Sequence, residues 1–114
     1  MLPEGPAKKV TIYLNEDTRA SVEPLWVSIL AFLKKKHVAR ATVSRAEAGF
    51  GAHEQVHMAY SEYASAHRPL RLEFIDTPEC VERLMPELSP MVTDGLITVQ
   101  DIMVVKSVRK DRVR

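Results

Sequence analysis

Apolar and polar residues alternate along three stretches of the chain, and each stretch predicts a β-strand. The alternation has a period of two and is rich in β-branched residues, as expected of a strand with one buried face. A fourth stretch is extended around Thr42 and Val43 and ends at Gly49. In the last alternating stretch Asp101 interrupts the apolar positions, which predicts a bulge or a break. The three alternating stretches are 8–16, 69–76 and 96–108.

Two further stretches carry apolar residues three or four positions apart, which predicts helices. The first closes on the lysines of 34–36, which suit the negative end of the helix dipole. The second begins at Asp76-Thr77-Pro78, where either Asp76 or Thr77 can cap the helix and Pro78 can hold its first position. Pro86 and Pro90 lack a backbone N–H, so we expect them to kink or interrupt this helix. The apolar positions are Leu25, Trp26, Ile29, Leu30 and Leu33, then Val81, Leu84, Met85 and Leu88.

The order of these elements is strand, helix, strand, strand, helix, strand. It predicts an α+β, ferredoxin-like fold in which both helices cover one face of an antiparallel sheet. We assign 8–106 to this domain, 1–7 to a flexible N-terminal lead and 107–114 to a basic C-terminal tail. The opposite face of the sheet is polar and faces water or a second copy of the chain. It carries Lys9, Thr11, Tyr13, Arg71 and Glu73.

The size, charge and cysteine content of the chain make several classes of function improbable. The 114 residues form one domain, and a net charge of +1 gives no bulk field toward nucleic acid or lipid. The charge is concentrated in 106–114, which holds five basic residues and one acid. No stretch approaches the ~18 apolar residues of a membrane span, so we expect no insertion into a membrane. The single cysteine, Cys80, excludes an intrachain disulfide and fits a reducing, cytoplasmic location.

Catalytic motifs are missing from the sequence. It has no phosphate-binding loop of the Walker type, no serine nucleophile elbow and no His-Glu-x-x-His pair. Cys80 lies on a predicted helix without a histidine near it, so a small buried residue is the simpler interpretation. Asp76 and Glu79 serve the start of the same helix by capping and through its dipole. We therefore predict that the chain is not an enzyme.

His53 and His57 are the candidate metal ligands. Their spacing of four places both side chains on one side of a helix, where they could bind zinc. Zinc needs a third and usually a fourth protein ligand, and the nearby choices are only Glu54, Glu62 and His67. Ordinary surface or packing roles, a metal site and pH sensing therefore all remain open for these histidines.

Segment 52–68 follows a Gly-Phe-Gly sequence and fits neither a strand nor a helix period fully. A long connection between well-formed strands is usually functional or disordered. Gly49 and Gly51 let the backbone turn sharply where the second strand ends, and they leave room for a ligand or a neighbouring chain. A bulge or turn without a ligand would need the same glycines.

With this order of elements, the chain resembles the PII-like proteins, and most closely a PII-related family known only as a domain of unknown function. The resemblance covers residues 8–106, and its most specific parts are "GFGAH" with the histidine that follows and "DGLITV". The segments that carry it are "TIYLNEDTR", "ATVSRAEAGFGAHEQVH", "PLRLEFIDTPECVERLMPEL" and "MVTDGLITVQDI".

The resemblance implies a homotrimer that binds a ligand, typically an adenine nucleotide, in the clefts between subunits. PII-like proteins report this ligand to a partner through a loop between strands two and three, the T-loop. Segment 52–68 would be this loop, and Tyr60 and Tyr63 are two candidate analogues of a tyrosine that some PII proteins modify there. The base of the loop would be Gly49, Phe50 and Gly51.

The resemblance also implies a phosphate site. The turn before the last strand cradles phosphate in PII proteins and corresponds here to 93–95, with Asp94 and Gly95. The basic residues that follow the last strand correspond to Arg109 and Arg112. The PII turn is longer, Gly-Asp-Gly-Lys-Ile, and Leu96 replaces its lysine in this chain.

Together with the sequence features, the resemblance implies a cytoplasmic regulatory trimer that senses a small anionic ligand, with an adenine nucleotide as the best candidate, and acts through loop 52–68 on a transporter, channel or enzyme. The alternative is a metal-responsive trimer similar to the CutA proteins, with His53 and His57 as ligands. An enzyme of the acylphosphate hydrolase type ranks last, because it needs an asparagine to orient water and only Asn15 is present.

Overall fold

The computed structural model describes residues 2–50 and 68–110, and the backbone of 57 and 58. Two α-helices and six strands are formed in these ranges, together with a short 3₁₀ turn at Ser89–Met91. The helices are α1 (Leu25–Lys35) and α2 (Pro78–Leu88). The strands are β1 (Gly5–Asn15), β2 (Arg40–Arg45), β3 (Ala48–Gly49), β4 (His57–Met58), β5 (Pro69–Asp76) and β6 (Leu96–Val104).

Four strands form one antiparallel sheet in the spatial order β2–β5–β1–β6, and β3 pairs with β4 in a separate two-stranded ribbon. Strands β1 and β2 therefore run in the same direction and are separated by β5. With helices after β1 and β5, this arrangement is the predicted ferredoxin-like fold. Within 2–50 and 68–110, none of the helices has the length and apolar character needed to cross a membrane.

The hydrophobic core lies between the two helices and one face of the sheet. Every second residue of β1 and β5 points into it, which confirms the predicted alternation. Thr11 is buried although it lies on the opposite, polar face. The core residues are Val10, Ile12, Leu14, Leu25, Ile29, Leu33, Leu72, Phe74, Val81, Leu84 and Leu88.

The start of α2 agrees with the sequence, but its proline behaves differently. The Thr77 hydroxyl accepts a hydrogen bond from the Cys80 backbone N–H at 3.2 Å, as expected of an N-cap. The helix then runs through Pro86 to Leu88, so of the predicted kink or interruption, the interruption does not occur at Pro86. Pro86 is exposed, and the carbonyl that loses its partner can therefore bond to water.

The edge strand β6 corrects three sequence expectations. Asp101 pairs in register with Lys8 and forms an ion pair with it at 2.6 Å, so the bulge expected there is absent. Strand β1 begins at Gly5, inside the segment predicted as a flexible lead, because 5–7 pair with the end of β6. Strand β6 ends at Val104, four residues before the predicted end.

Candidate functional site

The predicted T-loop base and the predicted phosphate turn lie at the same end of the four-stranded sheet. We call this the site end, where β1 and β2 finish and β5 and β6 begin. Asn15 pairs with Pro69 there, and Tyr13 pairs with Leu96. The 93–95 turn leads into β6 at this end, and the β3–β4 ribbon follows directly from β2. Two segments that are far apart in the sequence therefore share one end of the sheet.

The predicted T-loop base includes a short ribbon at Gly49. Gly49 pairs with His57, and the Ala46 N–H bonds to the Pro69 carbonyl oxygen at 2.9 Å. A β-carbon on Gly49 would lie 3.4 Å from Cγ of Pro69, which is an ordinary contact, so glycine is not required there. The turn predicted at Gly49 is therefore wrong. The Phe50 side chain is 70% exposed beside the ribbon, and Gly51 lies outside the described residues.

Gly95 is required by the packing of the turn. A β-carbon there would lie 2.4 Å from the Tyr13 carbonyl oxygen and 2.9 Å from Cδ2 of Leu14. The backbone of the turn therefore rests directly on β1, while Thr93 and Asp94 stay exposed. The resemblance to PII proteins assigns this glycine to a ligand. The contact with Tyr13 is not visible in the sequence, because it depends on how β1 and β6 pair.

An ion pair that the sequence analysis missed joins two strand ends at the site end. Nε and Nη2 of Arg45 lie 2.8 and 2.7 Å from the same carboxylate oxygen of Glu16. This hydrogen bond raises the pKa of Arg45. The Glu16 backbone N–H bonds in turn to the Arg68 carbonyl oxygen at 2.7 Å. The only available signal was that each charged residue ends or follows a strand, which does not reveal the pairing.

The basic tail leaves the sheet at the opposite end. Val104, the last residue of β6, pairs with Gly5 at the start of β1. The backbone from Gly95 to Val104 spans roughly 30 Å at about 3.4 Å per residue. Five further residues and a side chain give Arg109 a reach of roughly 24 Å. Arg109 therefore cannot reach the 93–95 turn of its own chain, and Arg112 lies outside the described residues.

The metal alternative falls largely outside the described structure. His53 is outside the described residues, and only the backbone of His57 is described. Residues 2–50 and 68–110 contain no group of three or more His, Cys, Asp or Glu side chains that could hold a metal ion.

Comparison with protein families identifies the family of the chain. Residues 7–104 match the profile of the DUF190 family (Uncharacterized ACR). The chain belongs to the DUF190 family. Two similar proteins are the UPF0166 proteins of Aquifex aeolicus and Methanocaldococcus jannaschii, each 29% identical. The first match covers 86% of this chain and 92% of its relative, and the second covers 88% and 93%.

Solved structures place this DUF190 chain among PII-like folds, which confirms the predicted resemblance. CPII from Thiomonas intermedia K12, a nitrogen regulatory PII-like protein bound to ADP, AMP and bicarbonate, superimposes with a TM-score of 0.68 at 18% identity. That match covers 93% of this chain and 94% of CPII. A PII-like protein of Thermus thermophilus gives a TM-score of 0.65 at 20% identity, with 89% and 91% covered.

Proposed function

We propose that this chain is a PII-like regulatory protein that binds an adenine nucleotide in the clefts between the subunits of a homotrimer. The observation that carries the proposal is the division of the predicted site between two ends of the sheet. The ribbon base and the 93–95 turn lie at the site end, whereas the tail cations leave from the other end. Such a site is complete only when a second subunit supplies its tail.

Each part of this site suits one part of a nucleotide. Phe50 is exposed at the ribbon and offers a flat apolar face for the adenine ring. The backbone N–H groups of Asp94 and Gly95 can hold phosphate oxygens, because the turn is exposed and Gly95 is fixed against β1. Arg109 and Arg112 of a neighbouring subunit would add charge-assisted hydrogen bonds to the phosphates. CPII, which has this fold, is bound to ADP and AMP, in agreement with such a ligand.

The output of this sensor would be a change in loop 52–68, which is joined to the site by the β3–β4 ribbon. A nucleotide that contacts Gly49, Phe50 and Gly51 can order the loop, and ordering of a segment is an established way for a ligand to control a partner. The partner is a transporter, a channel or an enzyme in the cytoplasm. The chain itself performs no catalysis in this scheme.

Titration calorimetry with ATP, ADP and AMP, together with light scattering, tests the proposal. We expect a trimer that binds at least one of these nucleotides. Phe50→Ala should weaken binding about five-fold or more, since stacking of a base on an aromatic ring contributes roughly 1–3 kcal/mol. Val22→Ala is the matched control, because Val22 is 82% exposed and lies outside the proposed site. A monomer that binds none of the three nucleotides overturns the proposal.

A further inference from the structure

An open groove of about 530 Å³ lies between α2 and the edge strand β6, outside the proposed nucleotide site. It forms because the helices cover β1 and β5 and leave the inner face of β6 largely bare. Helix α2 contributes residues three or four positions apart, which form one stripe along the helix. The lining includes Pro78, Val81, Glu82 and Met85 from α2, and Lys8 and Val99 from the sheet. We call this surface the α2–β6 groove.

The segment directly after β6 has the composition to fill such a groove. Val105 and Val108 are 84% and 73% exposed, although both are large apolar residues. They are three positions apart, so a helical turn or a polyproline II conformation places them on the same side of the segment. Lys106, Arg109 and Lys110 lie between and after them and give residues 105–110 a charge of +3.

The charges of the groove and of segment 105–110 are complementary. Glu82 lines the groove, and Glu79 is exposed one turn earlier on α2. Lys8, the cation of the lining, is already paired with the largely exposed Asp101 at 2.6 Å. The rim therefore presents an excess of carboxylates to an apolar segment that carries cations. Electrostatic complementarity of this kind selects one partner and its orientation.

We propose that segment 105–110 of one subunit docks in the α2–β6 groove of a second copy of the chain. Docking in the groove of the same chain would require a reversal immediately after Val104. Residues 105–110 contain no glycine or proline and form no turn. The contact is therefore heterologous, with the tail of one copy in the groove of the next, and it closes into a ring under cyclic symmetry. It requires no bound nucleotide, but it shares with the proposed function the assembly of several copies and the tail that carries Arg109.

Crosslinking between two distinguishable full-length chains tests this docking. Both chains carry Cys80→Ser. One also carries Val108→Cys and the other Pro86→Cys, which lies on the groove and is exposed. After co-expression with tags of different mass, a short bismaleimide should join the two chains. Val22→Cys with Val108→Cys is the matched control, because Val22 is also exposed but lies in the loop between β1 and α1.

We expect the groove pair to crosslink at least ten-fold faster than the control pair. Equal rates overturn the proposal, and so does a crosslink that forms only within a single chain carrying both cysteines. Val108→Asp provides a second measurement, because an exposed residue can be changed without disturbing the core. It should raise the concentration at which the oligomer dissociates at least ten-fold, whereas Val22→Asp should leave it unchanged. Unaltered dissociation of Val108→Asp also overturns the proposal.

Discussion

The backbone of Gly95 lies so close to Tyr13 that a β-carbon at position 95 would be 2.4 Å from the Tyr13 carbonyl oxygen. The next residue, Leu96, pairs with Tyr13 as β6 begins. The glycine therefore lets the exposed turn before β6 rest on the central strand β1. The contact between Gly95 and Tyr13 therefore lies where β6 begins to pair with β1. It also fixes the position of the backbone N–H groups that we assign to phosphate.

Gly95→Ala should destabilise the fold. The added methyl group forces the turn away from β1, and steric overlap of this kind reduces the free energy of unfolding by about 1–3 kcal/mol. Chemical denaturation measures the change. Gly49→Ala is the control, since its β-carbon would meet Pro69 at an ordinary 3.4 Å. Equal stability of the two variants would contradict the contact between Gly95 and Tyr13.

Asp76→Ala should cost more stability than Asp101→Ala. The buried Asp76 carboxylate accepts hydrogen bonds from the backbone N–H groups of Ala39 at 2.9 Å and Thr77 at 2.7 Å. Alanine at position 76 removes both hydrogen bonds, and a hydrogen bond to a charged group contributes about 1.5–3 kcal/mol. Asp101 is exposed and pairs with Lys8, and surface ion pairs contribute about 0–1 kcal/mol. Thermal and chemical unfolding compare the two variants, and a larger loss for Asp101→Ala would refute the assignment.

Cys80 should react slowly with thiol reagents at neutral pH. Burial, and then the neighbouring Asp76 carboxylate, raise the pKa of the thiol. The reactive thiolate is therefore scarcer in the folded chain than in the unfolded chain, and the native rate should keep rising at pH values where the unfolded rate has levelled off. Stopped-flow reaction with a disulfide reagent, with and without denaturant, measures this. In the Cys80→Ser background, Val22→Cys serves as the exposed control.

The raised pKa of Cys80 also determines whether its contribution to stability rises or falls with pH. Because the folded-state pKa is raised, the contribution of Cys80 is complete below the pKa of the unfolded thiol. It is lost as the pH rises from there through the folded value. The free energy of unfolding of the wild type, relative to that of Cys80→Ser, should therefore fall in alkaline solution. An increase with pH would mean that the thiolate is favoured in the folded chain.

The helices and strands whose apolar residues recur with a regular period were predicted from the sequence. Features that depend on pairing between strands far apart in the sequence were not. The alternation of apolar and polar residues in β1 and β5 arises because one face of the sheet is buried against the helices. These strands could therefore be predicted from the sequence pattern alone. The start of β1 at Gly5 could not be predicted in this way, because residues 5–7 become part of the strand through their pairing with β6. Asp101 looked like a break because its ion-pair partner, Lys8, is 93 positions away.

The candidate site was also predicted only in part from the sequence. Motifs identified Phe50 and the 93–95 turn, but only the strand order brings them to one end of the sheet. The strand order also sends Arg109 to the other end, which local sequence could not show.

Arg109 should contribute to nucleotide binding only from a neighbouring subunit. Its reach of roughly 24 Å falls short of the turn in its own chain. Loss of one charge-assisted hydrogen bond is worth roughly 1.5–3 kcal/mol, so Arg109→Ala should weaken binding about ten- to a hundred-fold. Truncation after Ser107 should weaken it at least as much. If affinity and oligomer stability are both unchanged by truncation, the tail is a solvated end.

Mixed trimers separate binding by a neighbour from binding within one chain. Phe50→Ala and Arg109→Ala chains are each expected to bind weakly alone. When they are co-assembled, about a quarter of the clefts combine an intact Phe50 from one chain with an intact Arg109 from the next, as cyclic symmetry requires. Calorimetry should therefore detect a restored high-affinity fraction that weakens as salt screens the exposed contact. If Arg109 acted within its own chain, every cleft would lack one of the two side chains, and no fraction of the binding would be restored.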